Sequence, residues 1–348
     1  MITITIQDLR YRARQFLIAV GGASLVFAMS LLLTGLANGF RVEIHQTVDG
    51  MGAQWWVLAP GATGRILGLP SIPSSTFGRI AAEPGVQRAD PLILEPQTAT
   101  NGRNTQSIIL VGYQSGGLGS PSSVTGRPAT SNGEAVVDTL SGLAIGQHFN
   151  VAGQRFVVVG TVVDRSLAGG TPDVFVPLAD AQRALFGGRP LINAVLTRGS
   201  PVGAAGLSLY SSGQIVQQSV DQQADAVSTI DNFRVFMWVI AAVIVAALVY
   251  VTALERTRDF AVLKALGASS RLLFAGLALQ AVLVAVVAAA VAAVIANFMT
   301  GVFTQPVSVP PSAFVVLPLS ALVVGLLSSL VALRRAISVD PAMAFAGA

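Results

Sequence analysis

The chain has no cysteine among its 348 residues. Disulfides, thiolate metal sites and cysteine nucleophiles are therefore excluded, and a domain facing an oxidising compartment must hold together through its core alone. Charge is scarce too, at 11% of residues, against about 25% in a soluble globular domain. Lys264 is the sole lysine and follows a leucine, so the Gly-Lys-Ser/Thr phosphate loop is absent and ATP cannot be held through one. The two histidines, His45 and His148, lie far apart and neither belongs to an HExxH pattern; both read as solvated or core histidines rather than metal ligands. "GASSR" (267–271) has arginine where a nucleophile elbow needs glycine. Asp138, Asp164 and Asp173 fall at strand ends beside turn signals, where acids are routine. Nothing in these residues supports an enzyme.

What the chain has in abundance is hydrophobicity: 53% of residues, with a mean hydropathy of +0.68. It is concentrated at the two ends, whereas residues 41–232 are mixed and rich in Gly, Pro and Ser. A membrane span needs about 20 apolar residues. Phe16–Ala37 supplies one, Val235–Leu254 a second, and the charge-free stretch 272–333 supplies two more on either side of "FTQPVSVPPSAF" (303–314), whose prolines cannot sit mid-helix. Pro318, near the start of the fourth, is tolerable in a membrane helix. A cleaved signal peptide is the competing reading of the first span, but the run is longer than a typical apolar signal region and "TGLANGF" is a poor cleavage site.

The net charge of +4 is not a nucleic-acid signature, because it divides by segment. Residues 41–232 hold eleven Arg and thirteen Asp/Glu, while basic clusters flank the apolar runs. Arg10, Arg12 and Arg14 precede the first span, Arg256, Arg258, Lys264 and Arg271 lie between the second and third, and Arg334 and Arg335 follow the fourth. With four spans and both termini inside, every cluster falls on the inner face, as the positive-inside rule expects. Residues 41–230 and the loop 300–312 then face outward. The fold expected is four transmembrane helices with an α+β extracytoplasmic domain between the first and second.

Within that domain, "QWWVLAPGA" (54–62), "QSIILVGY" (106–113), "EAVVD" (134–138), "RFVVVGTVVD" (155–164), "DVFVPL" (173–178) and "LINAVLT" (191–197) read as strands bounded by turn residues. "SSTFGRIAAE" (74–83) and "PLADAQRALFG" (177–187) read as helices. Of Trp55 and Trp56, adjacent in a strand and so pointing to opposite faces, one is expected in the core and the other exposed or at an interface. From about Ser219 a helix is expected to run unbroken into the second span, where Trp238 reads as an interfacial anchor. No residue inside the spans is ionisable, which argues against ion-coupled transport.

Between the second and third spans, "LERTRDFAVLKALGASSRLLFAGLALQAVL" resembles the signature of MacB/FtsX-type ABC-transporter permeases, E-x-x-R-[DE]-hydrophobic-x-hydrophobic-[KR]-A-L-G-A-[ST]. Glu255, Arg258, Asp259, Leu263, Lys264, Ala265, Leu266, Gly267, Ala268 and Ser269 fit it. "RIAAEPGVQRADPLI", "LSGLAIGQHFNVAGQRFVVVGTVVD", "DVFVPLADAQRALFG" and the closing "LRRAISVDPAMAF" are similar to that family's other landmarks, in the right order. Gln280 departs from it, standing where the family commonly has Glu.

The resemblance implies a cell-membrane permease subunit with domains at 1–15, 16–40, 41–230, 233–254, 255–271, 272–299, 300–312, 313–333 and 334–348. It implies two copies of a separate cytoplasmic ABC ATPase, which carries the ATP and magnesium, and a second permease copy, identical or homologous. This chain would hold no cofactor and no metal. An extracytoplasmic partner and the lipid bilayer complete the expected surroundings. Such subunits act as mechanotransmitters, passing ATPase closure to the outer domain. A regulator of a cell-wall hydrolase, like the FtsX division proteins, is the alternative, and a plain membrane-anchored binding module a third. In 255–266, Phe260, Leu263 and Leu266 recur at i, i+3 and i+6, an apolar stripe suited to docking in a groove on the ATPase. Gly267 suits a left-handed helix stop.

Overall fold

The computed structural model describes residues 13–255, 262, 269–299 and 307–337. It divides into two compact units. One takes the described residues up to Asn38, those from Val227 to 299 and those from Val307 onward; the other is Gly39–Ala226. Helix α1 (Ala13–Gly50) belongs to both.

The second unit is built on strands β1 (Trp55–Leu58), β2 (Ile72–Pro73), β3 (Arg88–Asn101), β4 (Asn104–Tyr113), β5 (Thr125–Gly126), β6 (Glu134–Asp138), β7 (His148–Val151), β8 (Gln154–Val162), β9 (Ser166–Leu167), β10 (Thr171–Pro177), β11 (Leu191–Ile192), β12 (Ala194–Arg198) and β13 (Ser208–Ser211). Helices α2 (Ser75–Ala81), α3 (Leu178–Phe186) and α4 (Ser212–Gln222) are interleaved with them. All six segments expected to be strands fall on strands, and both expected helices fall on α2 and α3.

The main sheet closes on itself. β3 pairs antiparallel with β4, β4 parallel with β10, β10 antiparallel with β6 and β6 parallel with β8. β7 then pairs with both β8 and β3, completing a ring and leaving these strands few free edges. From β3 the sheet extends outward through β12 and β1 to β13. β3 can serve both parts because it is long: Arg88–Leu92 faces β12 and Ile93–Asn101 faces β4. Pro91 and Pro96 flank the changeover. They also make the segment a poor strand candidate by sequence, since proline cannot donate to a ladder. At the split, buried Asn193 takes the Leu94 N–H on its Oδ1 at 3.1 Å and donates to the Leu69 carbonyl and to Glu95 Oε1. Burial pushes the Glu95 carboxyl up, opposed by that bond.

The core is aliphatic with aromatic pairs. Phe149 and Phe156 face each other in register and stack at 5.7 Å, while Tyr113 meets Phe175 edge-on at 6.2 Å and donates its hydroxyl to the Ala129 carbonyl. Trp56 is fully buried and Trp55 half-buried. Helix α3 lies close to β4 at Gly112, where an added Cβ would overlap the Ala181 Cβ. It ends at Gly187, whose left-handed φ of 61° lets its N–H reach back to Gln182.

The first unit combines α1 up to Asn38 with α5 (Ala224–Glu255), α6 (Ser270–Met299) and α7 (Ala313–Ile337). Among the described residues three helical stretches are long and apolar enough to cross a membrane: Phe16–Gly50, Ala224–Glu255 and Ala275–Met299. The described apolar stretch of α7, Ala313–Leu327, is shorter, and the helix accommodates Pro318. Two expectations need correction. The helix beginning the second span is interrupted: α4 ends and α5 begins on either side of Gln223, whose N–H turns back to Val220 and Asp221. And α1 does not stop at the end of its apolar run but continues to Gly50.

The helical unit packs through small residues. Ala281, Ala285, Ala288, Ala292 and Ala296 form a buried face on α6, and Ala241, Val245, Val249 and Ala253 one on α5. At Gly325 an added Cβ would lie 2.9 Å from the Val282 Cα and 3.0 Å from the Ala281 carbonyl. Lipid offers no hydrophobic driving force between helices, so such close backbone approach supplies the attraction.

Candidate functional site

The end of α1 is held by the β-rich unit through charges buried inside it. Glu43 and Thr47, four residues apart and so on one helix face, meet the loop that links β8 to β10. Glu43 Oε1 accepts from the Ser166 hydroxyl at 2.7 Å and the Gly170 N–H at 2.8 Å, and its Oε2 accepts from the Gly169 N–H at 2.9 Å. Thr47 donates to the Ser166 carbonyl at 3.0 Å. On the adjoining face Ile44, Val48 and Met51 enter the core. The loop can aim consecutive N–H groups at one carboxylate because Asp164, Ala168, Gly169 and Gly170 all have left-handed φ, between 54° and 87°, a nest geometry that favours anions.

Arg165 completes the joint. A helix leaves its last four carbonyls without helical partners. In α1, Val48 and Asp49 are served by the Met51 and Gly52 N–H groups. Arg165 serves the other two, donating Nη2 to the Gly50 carbonyl at 2.9 Å and Nη1 to the Thr47 carbonyl at 3.4 Å, and it also reaches the Gln46 carbonyl at 3.4 Å and the Ser122 hydroxyl. A cation at a helix C-terminus also meets the negative end of the dipole. The contact needs Gly50, since a Cβ there would overlap the guanidinium.

Two buried acids stand behind this arginine. Asp138 accepts from the backbone N–H groups of Leu140 and Arg165, both at 2.8 Å. Burial pushes its carboxyl up, opposed by those bonds. Asp173 is fully buried and neither carboxylate oxygen has a hydrogen-bond partner. Burial drives it well above the ordinary carboxylate range, against the pull of Arg165. Burial lowers Arg165 in turn, opposed by Asp173 and Asp138. Of the three acids noted at strand ends, Asp138 and Asp173 are buried and Asp164 alone is exposed.

A second attachment holds α4. Its N-cap Ser211 and Gln214 form a capping box, Trp56 donates its indole N–H to Ser212, and Ser212 donates to the Ala53 carbonyl. Further along, Gln218 accepts from the Gly64 N–H at 2.7 Å and Ser219 from the Ile66 N–H at 3.0 Å. Between the two attachments lies a cleft of about 370 Å³ walled by Phe40, Ile44, Ile66 and Leu167. Among the described residues no group of three or more His, Cys, Asp or Glu could hold a metal ion, and His45 and His148 are both exposed. The arrangement is suited to gripping helices.

Of the residues singled out by sequence, Arg14 is exposed in the first turn of α1 and Glu255 is the last residue of α5. Arg271 lies in the first turn of α6, and Arg334 and Arg335 near the end of α7. Arg10, Arg12, Arg258, Asp259, Phe260, Leu263, Lys264, Leu266 and Gly267 lie outside the described residues. Sequence reasoning missed Glu43 and Arg165 altogether.

Fold and site define a polytopic membrane protein with a β-rich domain inserted after its first apolar helix and tied to helices on both sides of the insertion. The chain belongs to the MacB/FtsX-like family of ABC transporter permeases: residues 16–206 match the MacB-like periplasmic core domain and residues 233–341 the FtsX-like permease C-terminal domain. It is 37% identical over 348 residues, the full length of both chains, to proteins named as uncharacterized ABC transporter permeases in Mycobacterium tuberculosis and Mycobacterium bovis. It is similar to the periplasmic region of MacB from Actinobacillus actinomycetemcomitans, at 17% identity and a TM-score of 0.36, covering 50% of this chain and 96% of that one. The extracellular domain of the transporter YknZ from Gram-positive bacteria is similar at 14% identity and a TM-score of 0.32, covering 42% and 83%. The chain is accordingly a multi-pass permease subunit of the cell membrane, and its family implies a partner ATPase.

Proposed function

We propose that this permease subunit is a mechanotransmitter, most simply of an exporter. It would span the membrane four times, with 16–40, 233–254, 272–299 and 313–333 as spans, both termini cytoplasmic and 41–230 outside. It catalyses nothing itself. Two copies of a cytoplasmic ABC ATPase hydrolyse ATP, and a second permease copy, identical or homologous, completes the pair. The ATPase stroke enters through residues 255–271, where Phe260, Leu263 and Leu266 fill a groove on the ATPase, Glu255, Arg258, Asp259 and Lys264 flank that stripe, and Gly267 turns the chain back. Arg10, Arg12, Arg14, Arg271, Arg334 and Arg335 fix the inner face.

The observation that carries this reading is the continuity of α1 from Ala13 to Gly50 together with the Arg165 clamp on its last turn. A rod that ends in a buried, charge-assisted joint transmits a tilt or rotation, whereas one ending in a loose loop absorbs it. The test is Leu263→Asp in the full chain. It should abolish capture of an ABC ATPase, identified by its phosphate-loop peptide, while membrane insertion stays normal. Undiminished capture would overturn the coupling role of this segment.

A further inference from the structure

The helical unit contains a largely apolar cavity with a few polar groups in its wall, which mechanotransmission leaves unexplained. It measures about 250 Å³ and is walled by α1, α5 and the start of α7. Arg234 and Trp238 line it from α5, Ser30 and Thr34 from α1, and Ser312 from the residue before α7. Leu31 and Leu317 supply apolar wall.

The arginine is not behaving as an ordinary interfacial anchor. Such a side chain extends its head into water, yet Arg234 is 29% exposed and lies over the Trp238 ring with its Cζ 5.7 Å from the centroid. Its Nη2 pairs with Asp231, one turn earlier, at 3.1 Å. Its Nε is buried and has no hydrogen-bond partner. A buried guanidinium nitrogen left unpaired costs free energy, and the partly exposed remainder of the same guanidinium lines the cavity.

The hydroxyls point to the same kind of guest. Ser30 Oγ accepts the Trp238 indole N–H at 3.0 Å, which leaves its own proton to donate. Thr34 donates to the Ser30 carbonyl at 2.9 Å, so its side chain is already anchored and serves as wall. The cavity thus offers a guanidinium edge, a serine proton and an aromatic face, a donor set for anionic oxygens. Its rim is apolar and open to the bundle's surface: Val316, which also lines it, is 49% exposed, and neighbouring Phe314 and Val315 are exposed as well.

We propose that this cavity binds the anionic headgroup of a membrane amphiphile, the phosphate or carboxylate resting against Arg234 and Ser30 and the acyl chains lying along the exposed face of α7. The inference rests on the membrane-spanning reading of α1, α5 and α7, but not on the coupling role of residues 255–271.

The test is native mass spectrometry of the full chain released from nanodiscs of phosphatidylcholine containing a minor fraction of phosphatidylglycerol. The wild type should retain phosphatidylglycerol in preference to phosphatidylcholine. Arg234→Gln should lower that retention about tenfold, the loss of one charge-assisted contact. Ser30→Ala, a milder change that spares the fold, should lower it about threefold. Both variants should stay monodisperse and still capture the ATPase, which separates failure here from failure of the coupling helix. Equal retention of the two lipids by the wild type, or unchanged retention in both variants, would overturn the proposal. Displacement of the lipid by millimolar inorganic phosphate would also overturn it, by assigning the site to a soluble anion.

Discussion

The two units of this chain differ in how their buried polar groups are most often paired. In the helical unit several hydroxyls donate within their own helix, although Trp238 reaches Ser30 and Asn38 reaches Ser308 across long stretches of sequence. Ser24 donates to the Gly21 carbonyl, Thr34 to Ser30, Thr252 to Leu248 and Ser320 to Leu317, each within one helical turn. In the β-rich unit the buried groups reach across the sequence. Glu43 meets Ser166 over 123 positions, and Asn193 joins Leu69 and Glu95 over comparable spans. A membrane helix must close its hydrogen bonds within itself because lipid supplies none. A β-rich domain can instead use buried polar groups to hold distant segments together, at the cost of desolvating them. The difference places the specific, hard-to-replace polar joint in the β-rich unit, where α1 ends.

The comparison breaks first at Arg165. Arg165→Met keeps the volume of the stem but removes the charge, leaving the Gly50 and Thr47 carbonyls uncapped and Asp138 and Asp173 without their counter-charge. Removing one partner from a buried charge cluster costs about 3–5 kcal/mol. Hydrogen exchange should accelerate in the last turns of α1 and in β9 and β10, while α6 and α7 stay as protected as in the wild type. If exchange rose equally in all four, the joint would not be local to the β-rich unit.

The reciprocal test lies in the helical unit. Gly325→Val drives a branched side chain against the Val282 backbone, and overpacking of this kind costs about 1–3 kcal/mol. The detergent-solubilised chain should lose its monodisperse form at a lower temperature. Exchange in β6, β8 and β10 should not change. A larger effect than that of Arg165→Met would invert the ranking of the two units.

How much of this was legible beforehand follows from the same contrast. The apolar runs, the basic clusters beside them and the alternating strands are local patterns, each imposed by one surrounding medium on consecutive residues, so they could be read directly. Residues 254–283 also carried the family resemblance. The joint could not be read, because Glu43 and Arg165 are ordinary residues until the closed sheet brings the β8–β10 loop to the end of α1. The burial of Asp138 and Asp173 was hidden for the same reason: a strand-end acid gives no sign of burial unless the element that covers it is known. β3 was hidden by Pro91 and Pro96, which the fold uses at the point where the strand changes partners. The break at Gln223 has no glycine or proline to announce it.

The smallest effect sharpens the comparison from within the β-rich unit, at an exposed ion pair. Arg127 and Glu134 approach to 2.5 Å, with the arginine side chain 56% exposed and the glutamate 12%. Glu134 also accepts from the Thr130 and Ser131 N–H groups. The Arg127 hydrogen bond is the largest influence holding the Glu134 carboxyl down, from the ordinary 4.5 to about 2. A carboxyl depressed in the folded state stabilises it above the unfolded pKa, and that contribution is lost as pH falls through the folded value. The wild type should therefore lose protection at the start of β6 between about pH 4.5 and pH 2. Arg127→Ala should move the Glu134 midpoint upward, short of 4.5 because the two backbone donors remain, and narrow that window from below. At neutral pH the variant should differ little from the wild type, since an exposed pair is screened and entropically costly. Titration of the Glu134 carboxyl by NMR in a labelled chain measures the shift directly. An unchanged midpoint would mean that the turn N–H groups alone hold the carboxylate. Even this surface pair would then follow the rule seen at Glu43, in which backbone donors, rather than a cation, keep the acid in place.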